Sequence, residues 1–149
     1  MPDGLSTNGF FGPLFSDDAP DAKAVPCIKI SFIDPKWDHL SGTAPSMVMR
    51  DVTALLDTGA SSCFVDRSIL DKLNYPSLRT GLSHGMFDTE EAESVRGVFA
   101  IEDVLQVYSM ELVKNNLENN AFKVILGWGF LSYWKLHFDQ SQGIVRLTK

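Results

Sequence analysis

A carboxylate at the end of an apolar run constrains this chain more than any other local feature. Asp57-Thr58-Gly59-Ala60-Ser61 follows Ala54-Leu55-Leu56 and precedes Cys63-Phe64-Val65. A charged group at the end of a buried strand is costly unless something uses it. Thr58 and Gly59 beside it allow a tight turn with a hydroxyl anchor. The motif occurs once, since the nearest imitation, Asp88-Thr89-Glu90, lacks the glycine. Each chain therefore supplies a single carboxylate of this kind.

The chain has 149 residues. That is enough for one domain with a real core. Its 44% hydrophobic and 21% charged content is that of an ordinary globular protein. A net charge of −6 without any Lys/Arg stripe argues against a nucleic-acid partner. Cys27 and Cys63 are the two cysteines, too few for a disulfide framework and consistent with a reducing compartment. The three histidines are scattered and no metal-ligand spacing occurs, so neither a metal nor another cofactor is expected. No run approaches the ~20 apolar residues of a membrane-spanning segment. The N-terminus lacks the basic region and apolar core of a signal peptide. The expectation is a cytoplasmic protein, or one domain of a longer precursor.

Residues 1–24 read as a flexible N-terminal tail and residues 25–149 as the domain. The tail holds Gly4, Gly9, Gly12, Pro2, Pro13 and Pro20, with an apolar knot at Phe10, Phe11, Leu14 and Phe15. That knot either docks on the domain or serves as a peptide substrate. From residue 25 the pattern is β, with Ile28, Ile30 and Phe32 at period two. A second strand is expected over 46–56. Asp66 suits the N-cap of a short helix over 67–73, which Asn74 and Pro76 end. Residues 81–85 read as a glycine-flanked turn, and 94–101 and 105–113 as strands. Phe122-Lys123-Val124-Ile125-Leu126 is a compact apolar strand ending at Gly127, with a short helix over 129–134. Residues 136–138 and 144–147 flank a closing hairpin turn. The chain is mostly β with two short helices and no internal repeat.

The loop Asp57-Thr58-Gly59-Ala60, followed downstream by Ile125-Leu126-Gly127 and Phe130-Leu131, resembles the retropepsins, the retroviral-type branch of the aspartic proteases. Leu136-His137-Phe138-Asp139 and Gly143-Ile144-Val145-Arg146-Leu147 resemble the terminal hairpin of cellular and bacterial members. The resemblance spans residues 25–147 and is sharpest over 54–61 and 124–131. It implies an all-β, closed-barrel acid-protease half with one or two short helices, paired as a homodimer. The implied activity is aspartic endopeptidase hydrolysis of a polypeptide substrate. Asp57 of each chain would form a dyad: the ionised carboxylate takes a proton from water and the protonated one polarises the scissile carbonyl.

By the same resemblance, Thr58 would bond the partner's loop, Gly59 would leave room for substrate backbone, and Ala60 would face the cleft. The flap candidate is 80–87, with Gly81 and Gly85 to hinge and Leu82 or Met86 to touch substrate. A rival flap tip is 88–93. Strands near 27–33 and 144–147 are expected at the dimer interface, because bare edges are a liability. Retroviral members carry an acid two residues after the catalytic glycine and an Arg after the downstream glycine. This chain has Ser61 and Trp128 there, and losing both leaves no unpaired buried charge. Gly129 leaves the next helix without a side-chain cap. An alternative reading is a catalytically inactive retropepsin-fold module for dimerisation or peptide binding. A third, an unrelated β-barrel ligand binder, makes both motifs coincidence.

Overall fold

Strand formation begins earlier than the sequence pattern suggests. The computed structural model describes residues 4–18, 23–84 and 89–149, and side chains outside 79–92. Strands β1 (Ser6–Asn8) and β2 (Phe10–Pro13) lie in the segment read as a tail. They are followed by β3 (Ala24–Ile33), β4 (Met47–Leu56), β5 (Phe64–Asp66), helix α1 (Arg67–Leu73), β6 (Ser77–His84) and β7 (Thr89–Ile101). Then come β8 (Gln106–Asn115), β9 (Val124–Leu126), helix α2 (Trp128–Leu131), β10 (Lys135–Asp139) and β11 (Ile144–Thr148).

Strands β3, β4, β9, β5, β8 and β7 pair in that order, and β7 returns to β3 with Ser31 opposite Ala100 and Phe32 opposite Phe99. The result is a closed barrel, as the all-β reading expects. Ile28, Ile30 and Phe32 point into it, following the period-two pattern. The β3–β4 register shifts after Ile30, where Asp51 takes φ 56° and its N–H donates to the Ser31 hydroxyl. This bulge lets Ser31, Phe32 and Ile33 all be buried. Phe99, Tyr108 and Phe130 cluster in the core, with the Phe130 ring edge-on to Tyr108 at 5.0 Å and tilted against Phe99 at 6.0 Å between centroids. The Tyr75 hydroxyl donates to the Ile33 carbonyl at 2.5 Å, tying the segment after α1 to β3.

Three expectations give way. The first is the flexible tail. β1 pairs with β11, β2 pairs with β3, and Phe11 packs against the core. Low β-propensity in this segment is overridden because its partners are already ordered strands. Phe10 and Phe11 are thereby held opposite Cys27 and Pro26.

The second is the turn at 81–85. Residues 81–84 belong to β6, and Gly81 and Leu82 pair with Ala92 and Glu91. Gly85 and Met86 fall outside the described residues, and the rival tip loses 89–93 to β7.

The third is that the strands over 27–33 and 144–147 are bare edges. β3 has β4 on one side and β2 and β7 on the other, and β11 lies between β1 and β10. Neither is an edge. The open edges of the three-stranded sheet are β1 and β10.

Asp66 precedes α1 as expected but does not cap it by side chain. Its carboxylate instead accepts from the Ser68 hydroxyl and, at 2.8 Å, from the Leu117 N–H. Burial pushes this carboxyl up. The Ser68 hydroxyl, the Leu117 N–H and Lys123 outweigh burial and hold it below the usual carboxylate range. A carboxyl depressed by folding contributes stability above its unfolded value and loses it as pH falls through its folded value. The urea midpoint should therefore drop as pH falls below about 4. Asp66→Asn should lower the midpoint at neutral pH and flatten that acid dependence. Equal acid slopes for the two proteins in urea titrations would refute the assignment. No helix among the described residues is long and apolar enough to cross a membrane.

Candidate active site

The site is built by a crossover. β4 and β5 are joined by residues 57–63 but do not pair with each other. β9 lies between them, parallel to β4 and antiparallel to β5. The connecting loop must therefore pass over the end of β9. Asp57 extends the pairing by one step, its N–H donating to the Leu126 carbonyl at 3.0 Å. The loop then turns back, with the Ala60 N–H 3.2 Å from the Asp57 carbonyl.

Gly127 is where the two segments touch. A Cβ there would lie 2.4 Å from the carbonyl oxygens of both Ala60 and Ser62. Only a residue without a side chain permits this approach, which is the packing that the Ile125-Leu126-Gly127 motif predicts.

The loop also caps α2. The Ala60 carbonyl accepts from the Trp128 N–H at 2.8 Å, and the Ser61 carbonyl from the Gly129 N–H at 3.2 Å. Two donors orphaned at the helix start are thus satisfied by backbone carbonyls. The helix start has no side-chain cap, as expected, and these backbone carbonyls take its place. Phe130 and Leu131, both fully buried, fix α2 to the barrel core.

The Asp57 carboxylate is half-buried at the mouth of this arrangement. Its Oδ1 accepts from the Gly59 N–H at 2.8 Å. Among the described residues no donor reaches Oδ2. Thr58 and Gly59 are exposed and Ala60 is half-buried. The structure thus brings Asp57, Thr58, Gly59 and Ala60 together with Gly127 and Trp128. It places Gly81 and Leu82 on β6, while Gly85 and Met86 lie outside the described residues.

Among the described residues the pairing of 80–84 with 89–93 has no third strand beside it, because β8 joins β7 only from Ser94 onward. The β6–β7 hairpin is therefore a two-stranded ribbon projecting from the barrel.

Cys63 closes the loop. Burial pushes its thiol up, against the opposing effect of hydrogen bonds with the Gly127 and Phe130 backbone. A buried thiol raised in this way is a poor nucleophile. Among the described residues no group of three His, Cys, Asp or Glu side chains could hold a metal ion.

Trp128 is the site residue that motif matching passes over. Its indole N–H donates to the Thr58 carbonyl at 2.6 Å, although the side chain is 46% exposed. Its position directly after Gly127 was the available signal.

The fold matches a known architecture. A retropepsin-like aspartic protease from Rickettsia conorii superposes with a TM-score of 0.58 at 12% identity, covering 98% of this chain and 92% of that one. The retroviral protease-like domain of Ddi1 from Leishmania major is also similar, with a TM-score of 0.48 at 10% identity over 81% of this chain and 91% of that one. No family model and no curated protein sequence matches the chain. At this level of identity the likeness is one of fold, and the chain has the retropepsin-like, aspartic-protease-type fold that its motifs imply.

Proposed function

We propose that this chain, having a retropepsin-like fold, acts as an aspartic endopeptidase assembled as a homodimer. The observation that carries the reading is the intact Asp57-Thr58-Gly59 loop on the β4–β9–β5 crossover, with one carboxylate oxygen held by Gly59 and the other open. One chain supplies one such carboxylate. A two-fold axis beside the loop sets a second Asp57 against the first, since an isologous interface repeats the same patch.

In that pair one carboxylate is ionised and takes a proton from a shared water. The water oxygen adds to the scissile carbonyl carbon while the protonated carboxyl polarises the carbonyl oxygen. Proton transfer to the amide nitrogen then lets the C–N bond break. Thr58 braces the partner's loop across the axis. Gly59 and Ala60 leave space for the substrate backbone.

The projecting β6–β7 ribbon serves as the flap. Gly81 and Leu82 lie along it; Gly85 and Met86, also assigned to the flap, lie outside the described residues. Cys27 and Cys63 are both free and buried, which suits a reducing, cytoplasmic setting.

Hydrolysis of an unfolded protein tests the reading. The expected result is fragments, a bell-shaped pH profile with its optimum on the acid side of neutral, and inhibition by a statine-type transition-state mimic. Sedimentation should show a dimer. An active strict monomer would overturn the shared dyad, and an alkaline optimum would point to another mechanism. A dimer that binds peptides without cutting them would establish the inactive-module reading.

A further inference from the structure

We infer that Trp128 is a positioning residue for the Asp57 carboxylate, acting through the Thr58–Gly59 peptide group. The inference rests on the protease reading for its kinetic consequences but not for its geometry. The Trp128 indole N–H donates to the Thr58 carbonyl at 2.6 Å. The N–H of the same peptide unit, that of Gly59, donates to Asp57 Oδ1 at 2.8 Å. The peptide group is planar, so fixing its carbonyl fixes the direction of its N–H. Donation to the carbonyl also polarises the amide and strengthens what its N–H donates.

The Trp128 main chain holds the same loop a second time, through its N–H to the Ala60 carbonyl at 2.8 Å. One residue on α2 thus grips the loop at Thr58 and at Ala60. Retroviral members carry an acid and an Arg at the positions of Ser61 and Trp128. Here Ser61 is exposed and offers its carbonyl to the Gly129 N–H, leaving the indole as the side-chain brace. A neutral donor needs no charged partner, so the two departures from the retroviral pattern are accounted for together.

The brace predicts effects that packing alone would not produce. Trp128→Phe keeps an aromatic ring and removes the donor. The Gly59 amide proton, which donates to a carboxylate, should move upfield in its NMR spectrum. kcat should fall about five- to tenfold with KM within about twofold, the size expected for one hydrogen bond. Weaker donation to the ionised carboxylate should also shift the acid limb of the pH profile to higher pH. Trp128→His, which retains a ring N–H, should recover part of the amide shift.

In the unaltered protein the Trp128 indole N–H should exchange with solvent more slowly than a free indole despite its exposure. That measurement stands even where the Phe variant fails to fold. An indole exchanging at the free rate, or a folded Phe variant with an unmoved Gly59 amide proton, would overturn the inference. A moved amide proton in a protein that cuts no peptide would uphold the brace and remove the protease reading instead.

Discussion

Asp57→Asn should abolish the proposed peptide hydrolysis and leave the fold in place. The amide has the shape of the carboxylate, and its Oδ1 still accepts from the Gly59 N–H that holds it at 2.8 Å. What is lost is the proton chemistry: a carboxamide neither takes a proton from water nor shares one with a second carboxyl. In the proposed dimer, two-fold symmetry would place the change in both halves of the dyad at once. Turnover should therefore fall by about 10³-fold or more. The melting temperature should stay within a few degrees, because Asp57 is half-buried and its backbone bond to Leu126 is untouched. Dimer affinity should rise slightly, since two neighbouring carboxylates repel whenever both are ionised. Hydrolysis rates, thermal melts and sedimentation on the two proteins check all three expectations. Residual turnover above the contaminant level would refute the assignment of Asp57.

The legible parts of this molecule are those in which a local pattern and its tertiary use coincide. Asp57 sits between two apolar runs because the loop that carries it joins two barrel strands. Leu126-Gly127 is readable because the close approach of the Ala60 and Ser62 carbonyls admits only glycine. The closing hairpin of β10 and β11 was visible from apolar residues flanking a polar turn.

The parts that escaped depend on partners distant in the chain. Ser6–Asn8 becomes a strand only because β11, about 140 residues later, offers it an edge. Gly81 marks no turn, because its backbone is paired with Ala92 in a ribbon whose length no local signal encodes. Asp66 has the composition of a helix cap, yet the Leu117 N–H lies closer to its use than the helix it precedes. The indole of Trp128 finds the Thr58 carbonyl only because the loop curls back over Gly127. In each case the residue was conspicuous and its partner was not.

Gly127→Ala should be strongly destabilising, and Gly129→Ala two residues later should be harmless. At Gly127 the added Cβ meets two backbone carbonyl oxygens at 2.4 Å. Backbone cannot rotate away as a side chain can. The Ala60 carbonyl is moreover committed to the Trp128 N–H, so relieving the clash pulls the loop off the start of α2. The backbone at Gly127 has φ −94°, which alanine adopts freely, so the cost is steric and not conformational. A loss of about 3 kcal/mol or more is expected, lowering the melting temperature by on the order of 10 °C. At Gly129 the nearest atoms to an added Cβ are the Ser61 carbonyl oxygen at 3.8 Å and the Cys63 sulfur at 3.9 Å, both ordinary contacts. Alanine there stiffens a helical turn and should contribute up to about 0.5–1 kcal/mol of stability. Thermal melts of the two variants decide the point, because both lie in one motif and differ only in what a methyl group would touch. Equal melting temperatures would mean that the loop does not cross β9 at Gly127, and the placement of Asp57 would fall with that crossing.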